Sequence, residues 1–175
     1  MKSRALSLWQ PWASLVACGL KTIETRTYPT RVRGPFVVCA ALRSNRHEEQ
    51  QILDWLALAL PACGRAWPTG LPKVARDLPR GVAVATADLV TCRPLAWPDM
   101  RAGGGALLPD SDDTMDFDDR LRLGIPCFAV EGRWAWALDR IQRTPPVPVR
   151  GKQGWFFADI PEAPDVQGSL FGAAP

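Results

Sequence analysis

Apolar residues come in short runs separated by proline, glycine and charge, and the spacing within each run predicts its backbone. Ala5 to Leu8 reads as a first strand. Pro11 is placed as the first residue of a short helix that runs through Cys18 and ends at Gly19. Lys21 to Thr27, rich in threonine around Ile23, predicts a strand with Thr22, Glu24 and Arg26 on one face and Ile23 and Thr25 on the other. After a basic turn over 30–34, Pro35 to Leu42 is almost wholly apolar, as a strand in the middle of a sheet must be. Ile52, Trp55, Leu56 and Leu60 then recur at helical spacing, so 45–60 predicts an amphipathic helix. Ser44 or Asn45 would cap it, Glu48 lies near its start, and Pro61 would stop it.

The second half is more broken. Residues 61–80 form a punctuated connection, and Gly81 to Cys92 reads as a long strand that Asp88 interrupts. Residues 94–124, with three consecutive glycines and a run of aspartates, predict a flexible insertion with one helical turn near Phe117 to Leu121. Cys127 to Val130 and Arg133 to Arg140 predict a hairpin turned at Glu131-Gly132, in which Trp134 and Trp136 alternate with Ala135 and Ala137. A basic glycine turn over 150–154 precedes a last strand, Trp155 to Ala158. The expected class is α+β: one domain over 1–158, followed by an acidic, proline-bearing tail over 159–175.

Composition narrows the class. At 175 residues the chain can bury a core without disulfides or metal, and 47% hydrophobic with 22% charged residues is ordinary globular usage. No run of eighteen apolar residues occurs, and the first residues lack the pattern of a secretory signal, so a soluble, cytoplasmic chain is expected, with no membrane partner. Five cysteines stand singly beside one histidine, His47, which speaks against a zinc site and a histidine-dependent nucleophilic triad, and no metal or other cofactor is expected. The net charge of +3 hides an asymmetry: residues 1–46 carry eight lysines and arginines against one acid, Glu24, whereas 110–119 hold six aspartates and no base. A basic block of this kind attracts polyanions, and it is equally the composition of a solvated face.

The most informative segment is Leu8-Trp9-Gln10-Pro11-Trp12 followed by Gly19-Leu20-Lys21-Thr22-Ile23-Glu24-Thr25-Arg26. G-x-K-x-x-E-x-R after a short strand and helix resembles the signature of the ASCH domain family. The resemblance runs from about Ala5 to Ala41, resumes at 81–92 and 127–140, and includes the closing Arg150 to Phe156. It implies a PUA-like fold, a small mixed β-barrel with flanking helices, related to modules that bind RNA and in some cases recognise single bases. The residue types agree with that implication. Lys21 supplies a phosphate-directed cation, Glu24 an acceptor, with Thr22 beside it, and Arg26 a planar guanidinium. Trp9 and Trp12, flanking Gln10, offer stacking surfaces for unpaired bases. Arg150, Lys152 and Gln153 form a second basic element, suited to the backbone on either side of a pocketed base. The expected partner is RNA or another single-stranded nucleic acid, or a modified nucleoside. Each residue also has a structural reading: Glu24 and Arg26 as a salt bridge fixing the barrel, the 150–154 segment as a solvated turn, and most tryptophans, Trp134, Trp136 and Trp155 among them, as core.

Some members of the superfamily are amidohydrolases that deacylate acetylated cytidine with a lysine, a threonine and a carboxylate. Lys21 matches that lysine, but Glu24 occupies the place of the threonine, so acyl transfer through a hydroxyl there is closed. What stays open is Thr22 or Thr25 as a substitute hydroxyl, although Thr25 should point away, or Glu24 as general base towards water with Lys21 stabilising an oxyanion, in hydrolysis of a modified base or of RNA. In the tail, Gln167-Gly168-Ser169-Leu170-Phe171 looks like the peptide by which bacterial replication and repair proteins dock on the sliding clamp, with Leu170 and Phe171 as anchors and Gln167 as polar contact.

Overall fold

The computed structural model describes residues 2–62, 64–94 and 133–160. The predicted insertion beyond Pro94, the first strand of the 127–140 hairpin, and the tail beyond Ile160, with Gln167, Leu170 and Phe171, lie outside the described residues. Six strands and two helices follow in the order β1 (Lys2–Leu8), α1 (Trp12–Ala17), β2 (Ile23–Arg26), β3 (Gly34–Ala40), α2 (Arg46–Ala62), β4 (Val82–Pro94), β5 (Trp134–Pro148) and β6 (Trp155–Asp159), with a 3-10 turn at Ala75–Asp77 before β4. The class is α+β, as expected.

The strands form a single sheet in the order β2-β5-β4-β3-β1-β6. β1 and β3 run parallel, with Leu6 opposite Val38, and every other neighbouring pair is antiparallel. β3 lies in the interior of the sheet, and Phe36 to Ala40 are all buried, which is what its unbroken apolar run requires. β5 is much longer than its alternating tryptophans suggest. It pairs with β4 from Pro94↔Trp134 to Val82↔Pro148, through three irregularities that bend both strands.

The expected closed barrel is corrected here. Among the described residues the sheet keeps two edges, β2 and β6, and no ladder joins them. β2 is four residues long, and β6 pairs with β1 only as far as Leu6, so neither edge reaches the other. Side chains span the gap instead. Arg26 of β2 donates from Nη2 to the Ser7 carbonyl of β1 at 3.3 Å, Trp155 of β6 donates from Nε1 to Thr30 Oγ1 at 3.1 Å, and the Trp136 and Trp155 rings stack with centroids 5.6 Å apart. The curled sheet is thus held by aromatic packing and a guanidinium where a barrel would use backbone pairs.

The concave face holds the main core, in which Leu6, Leu8, Val38, Ala85, Leu89 and Trp136 pack under Ala13 and Val16 of α1. On the opposite face Ala5, Val37, Cys39, Ala83 and Phe156 form a smaller cluster. α2 packs away from the sheet, its Ile52, Leu53, Leu56 and Leu60 against Leu15, Leu20, Leu71 and Leu78. Asn45 caps it as expected, accepting the Glu48 N–H at 3.4 Å, and Pro61 falls inside its last turn instead of ending it. Pro11 likewise stands just before α1, whose first helical residue is Trp12.

A separate lock holds the 70s loop to β5. The Arg143 guanidinium donates to the carbonyls of Thr69 at 3.1 Å and Gly70 at 2.9 Å, over a glycine with φ of +75°. A β-carbon on Gly70 would stand 1.7 Å from Arg143 Nη1. Gly70→Ala is therefore expected to lower stability by about 1–2 kcal/mol, the cost of a left-handed L-residue, with displacement of Arg143 besides. Urea denaturation monitored by tryptophan fluorescence measures it, and a midpoint equal to that of the unaltered chain would contradict it.

Candidate nucleic-acid interface

The helix ends at Gly19, whose φ of +76° suits glycine and reverses the chain into β2. That reversal carries Lys21 inward beneath Trp12, with Nζ 5.9 Å from the indole centroid. β2 then pairs with β5 so that Glu24 lies across from Trp136 and Arg26 across from Trp134. Residues opposite one another in a ladder share a face, so Glu24 and Arg26 turn into the concavity with the buried Trp136, as the strand's alternation predicts.

Three charges meet there. Glu24 forms ion pairs with Lys21, Nζ to Oε2 at 3.4 Å, and with Arg26, Nε to Oε1 at 3.0 Å, while Lys21 also donates to the Ile23 carbonyl at 2.5 Å. Lys21 is 3% exposed and Glu24 8%. Burial pushes the Lys21 amine below its ordinary value, Glu24 pulls it back up, and Arg26 adds a smaller push downwards. Of the three, Arg26 keeps appreciable contact with solvent, its side chain 22% exposed. Both oxygens of Glu24 are held in ion pairs, so its use as a base towards water would first require one of the cations to leave.

Arg26 lies with its guanidinium carbon 5.9 Å from the Trp136 ring, and Tyr28 meets the same ring edge-on at 5.7 Å. Tyr28 is 41% exposed. An arginine and a half-exposed tyrosine thus rest on one fully buried tryptophan. The surrounding polar atoms are incompletely paired: among the described residues the buried Ser7 Oγ, Thr22 Oγ1, Arg26 Nε and Trp136 Nε1 have no hydrogen-bond partner. Buried polar atoms without partners are uncommon in folded proteins and call for an explanation such as bound water or ligand.

The other sequence candidates are distributed as follows. Trp9 is half-exposed, with Arg43 stacked 5.2 Å from its ring centroid. Trp12 turns inwards to Lys21. Gln10 is buried, donating from Nε2 to the Pro79 carbonyl at 2.7 Å and accepting the Ser14 N–H on Oε1 at 3.2 Å, so it fastens α1 to the loop before β4. Arg150, Lys152 and Gln153 are exposed on the turn before β6. Gly151 of that turn presses on β1, where an added β-carbon would lie 2.7 Å from Ser7 Oγ. The turn therefore abuts the residue whose carbonyl Arg26 holds. Tyr28 and Ser7, and Arg43 as more than one cation of the basic block, stand beside these candidates without a motif to point to them. Tyr28, the single tyrosine of the chain, was the one available signal. A distinct cleft of about 210 Å³ opens between α1, the 70s loop and β5, lined by Ser14, Cys18, Asp77 and Arg143 among others, and no signature residue borders it.

The ASCH domain family matches residues 6–104, more than half of the chain. The chain belongs to the ASCH domain family. That match runs from the end of β1 through β4, and includes the Lys21, Glu24 and Arg26 network. A search among curated proteins found no match. ASCH domains are generally associated with RNA binding. No helix among the described residues is long and apolar enough to cross a membrane.

Proposed function

We propose that this ASCH domain binds RNA or another single-stranded nucleic acid, receiving one nucleotide against Arg26 and Tyr28 at the mouth of the signature network. The observation that carries the reading is the construction around Arg26. Its guanidinium is anchored by Glu24 and Ser7 and stacked over Trp136, yet it reaches solvent beside a half-exposed tyrosine. A planar cation and a phenol fixed on a rigid support suit a base and its phosphate, because stacking tolerates any base and the guanidinium donates to phosphate or base edges. Lys21 and Glu24 stand behind this contact and hold Arg26 in place. The Arg150–Gln153 turn, which abuts Ser7, supplies exposed cations for the flanking phosphates.

Fluorescence polarisation with short labelled RNA and DNA oligomers tests the reading. Arg26→Gln and Tyr28→Ala are each expected to weaken binding by about fivefold to 150-fold, the range of roughly 1–3 kcal/mol per stacked base. The double variant Arg150→Gln/Lys152→Gln acts differently, reducing the slope of log affinity against log salt by about 1.4, from two phosphates at roughly 0.7 each on a single strand. No binding by the unaltered chain at low salt, or binding by Arg26→Gln and Tyr28→Ala as tight as that of the unaltered chain, would overturn it.

A further inference from the structure

Trp9 and Arg43 form a second aromatic and cationic pair outside the signature network. Trp9 follows β1 and Arg43 follows shortly after β3, and these parallel neighbours deliver both residues to the same end of the sheet. The Ala41 N–H donates to the Leu8 carbonyl at 2.8 Å, continuing the pairing to that end. There the Arg43 guanidinium lies over the Trp9 ring at 5.2 Å, Trp9 stays 50% exposed, and Leu42 beside Arg43 is 77% exposed. A guanidinium over one face of the half-exposed indole favours a fixed ring orientation, and an aromatic ring paired with a cation is a surface on which an unpaired base can stack. The surroundings are basic: Arg43 and Arg46 are exposed here, within the block in which eight cations face one acid.

The position relative to Arg26 is what gives this pair a role. Trp9 is two residues beyond Ser7, whose carbonyl Arg26 holds, and two residues of chain span no more than about 7 Å. We infer that Trp9 and Arg43 stack the base next to the one held at Arg26 and Tyr28, so that the domain engages at least two consecutive nucleotides of a single strand. The inference rests on the proposed nucleic-acid reading and extends it from one base to two. A duplex is excluded as the ligand of this pair, because stacking on Trp9 needs an unpaired base.

The experiment compares a mononucleotide, a dinucleotide and an eight-residue single strand, using the unaltered chain, Trp9→Ala, Arg43→Lys and Arg26→Gln. Both Trp9 and Arg43 are exposed, and unchanged thermal melts will verify that the variants fold. Trp9→Ala is expected to weaken the dinucleotide and the longer strand about fivefold or more, leaving the mononucleotide unchanged. Arg43→Lys, which keeps the charge and loses the planar stack, should follow Trp9→Ala in direction. Equal losses on all three ligands, or no loss on any, overturn the second platform while leaving the Arg26 site standing. Weakening by Trp9→Ala with no effect of Arg26→Gln would sink the Arg26 site and with it the two-base arrangement. No binding of any ligand overturns both.

Discussion

Arg80→Ala is expected to destabilise the domain by about 3–5 kcal/mol, the cost of leaving a buried charge without its partner. Glu49, on the first turn of α2, is 2% exposed. It meets Arg80 through both carboxylate oxygens: Nη1 donates to Oε1 at 3.1 Å and Nη2 to Oε2, while Nη2 also donates to the Ala75 carbonyl at 3.1 Å. This bidentate pair ties α2 to the loop that leads into β4, next to the apolar cluster of Leu53, Leu56 and Leu78. Removing the guanidinium strands the carboxylate, to which the Asn45 N–H at 3.3 Å would be left as the one main-chain donor described. Chemical denaturation measures the loss. The double variant Glu49→Leu/Arg80→Met should recover much of it, since no buried charge then remains. A single variant as stable as the unaltered chain would contradict this account of α2.

Glu24→Gln is expected to cost a similar amount, about 3–5 kcal/mol near neutral pH, and its cost should shrink as pH rises. Lys21 already holds its proton less firmly than an ordinary lysine, chiefly because it is buried, and Glu24 supplies the influences that raise its pKa. Without Glu24, burial and Arg26 remain, and both push the amine further down. The folded state then releases the Lys21 proton at a pH below the ordinary value of 10.5 at which the unfolded chain releases it. Between those two values the unfolded chain binds more protons, so stability rises with pH through the window. The stability is fully present above 10.5 and lost as pH falls through the folded value. Urea unfolding at pH 7 and pH 10 reads the effect, and Lys21→Met/Glu24→Gln should abolish its pH dependence. A deficit identical at both pH values would show that Lys21 stays charged or is solvated in the variant.

These two ion pairs mark where pattern alone stops. The alternation of Thr22, Glu24 and Arg26 against Ile23 and Thr25 is a local property with a period of two, and the pairing of Glu24 with Trp136 and of Arg26 with Trp134 keeps it. The apolar run at 35–42 likewise announced an interior strand, and Ile52, Leu56 and Leu60 announced the buried face of α2. The G-x-K-x-x-E-x-R spacing led to the ASCH family, whose match includes those residues. Gln10 differs: the motif places it among the candidate binding residues, and what the pattern does not show is that its amide bridges Pro79 and Ser14. Its partners lie four and 69 positions away, and the longer separation has no period to betray it.

The sequence by itself determined the order of the elements, the inward face of β2, and the charge triplet at one end of it, because these depend on residues within a few positions of each other. Tertiary structure decided how that triplet is used. Lys21 and Glu24 are buried as a pair, and Arg26 crosses to Ser7, 19 residues earlier, at the gap between β2 and β1. The same folding sets Tyr28 on Trp136 and Arg43 over Trp9. The reason is physical: a strand's alternation chooses a face, but only the curl of the whole sheet decides which distant face stands opposite.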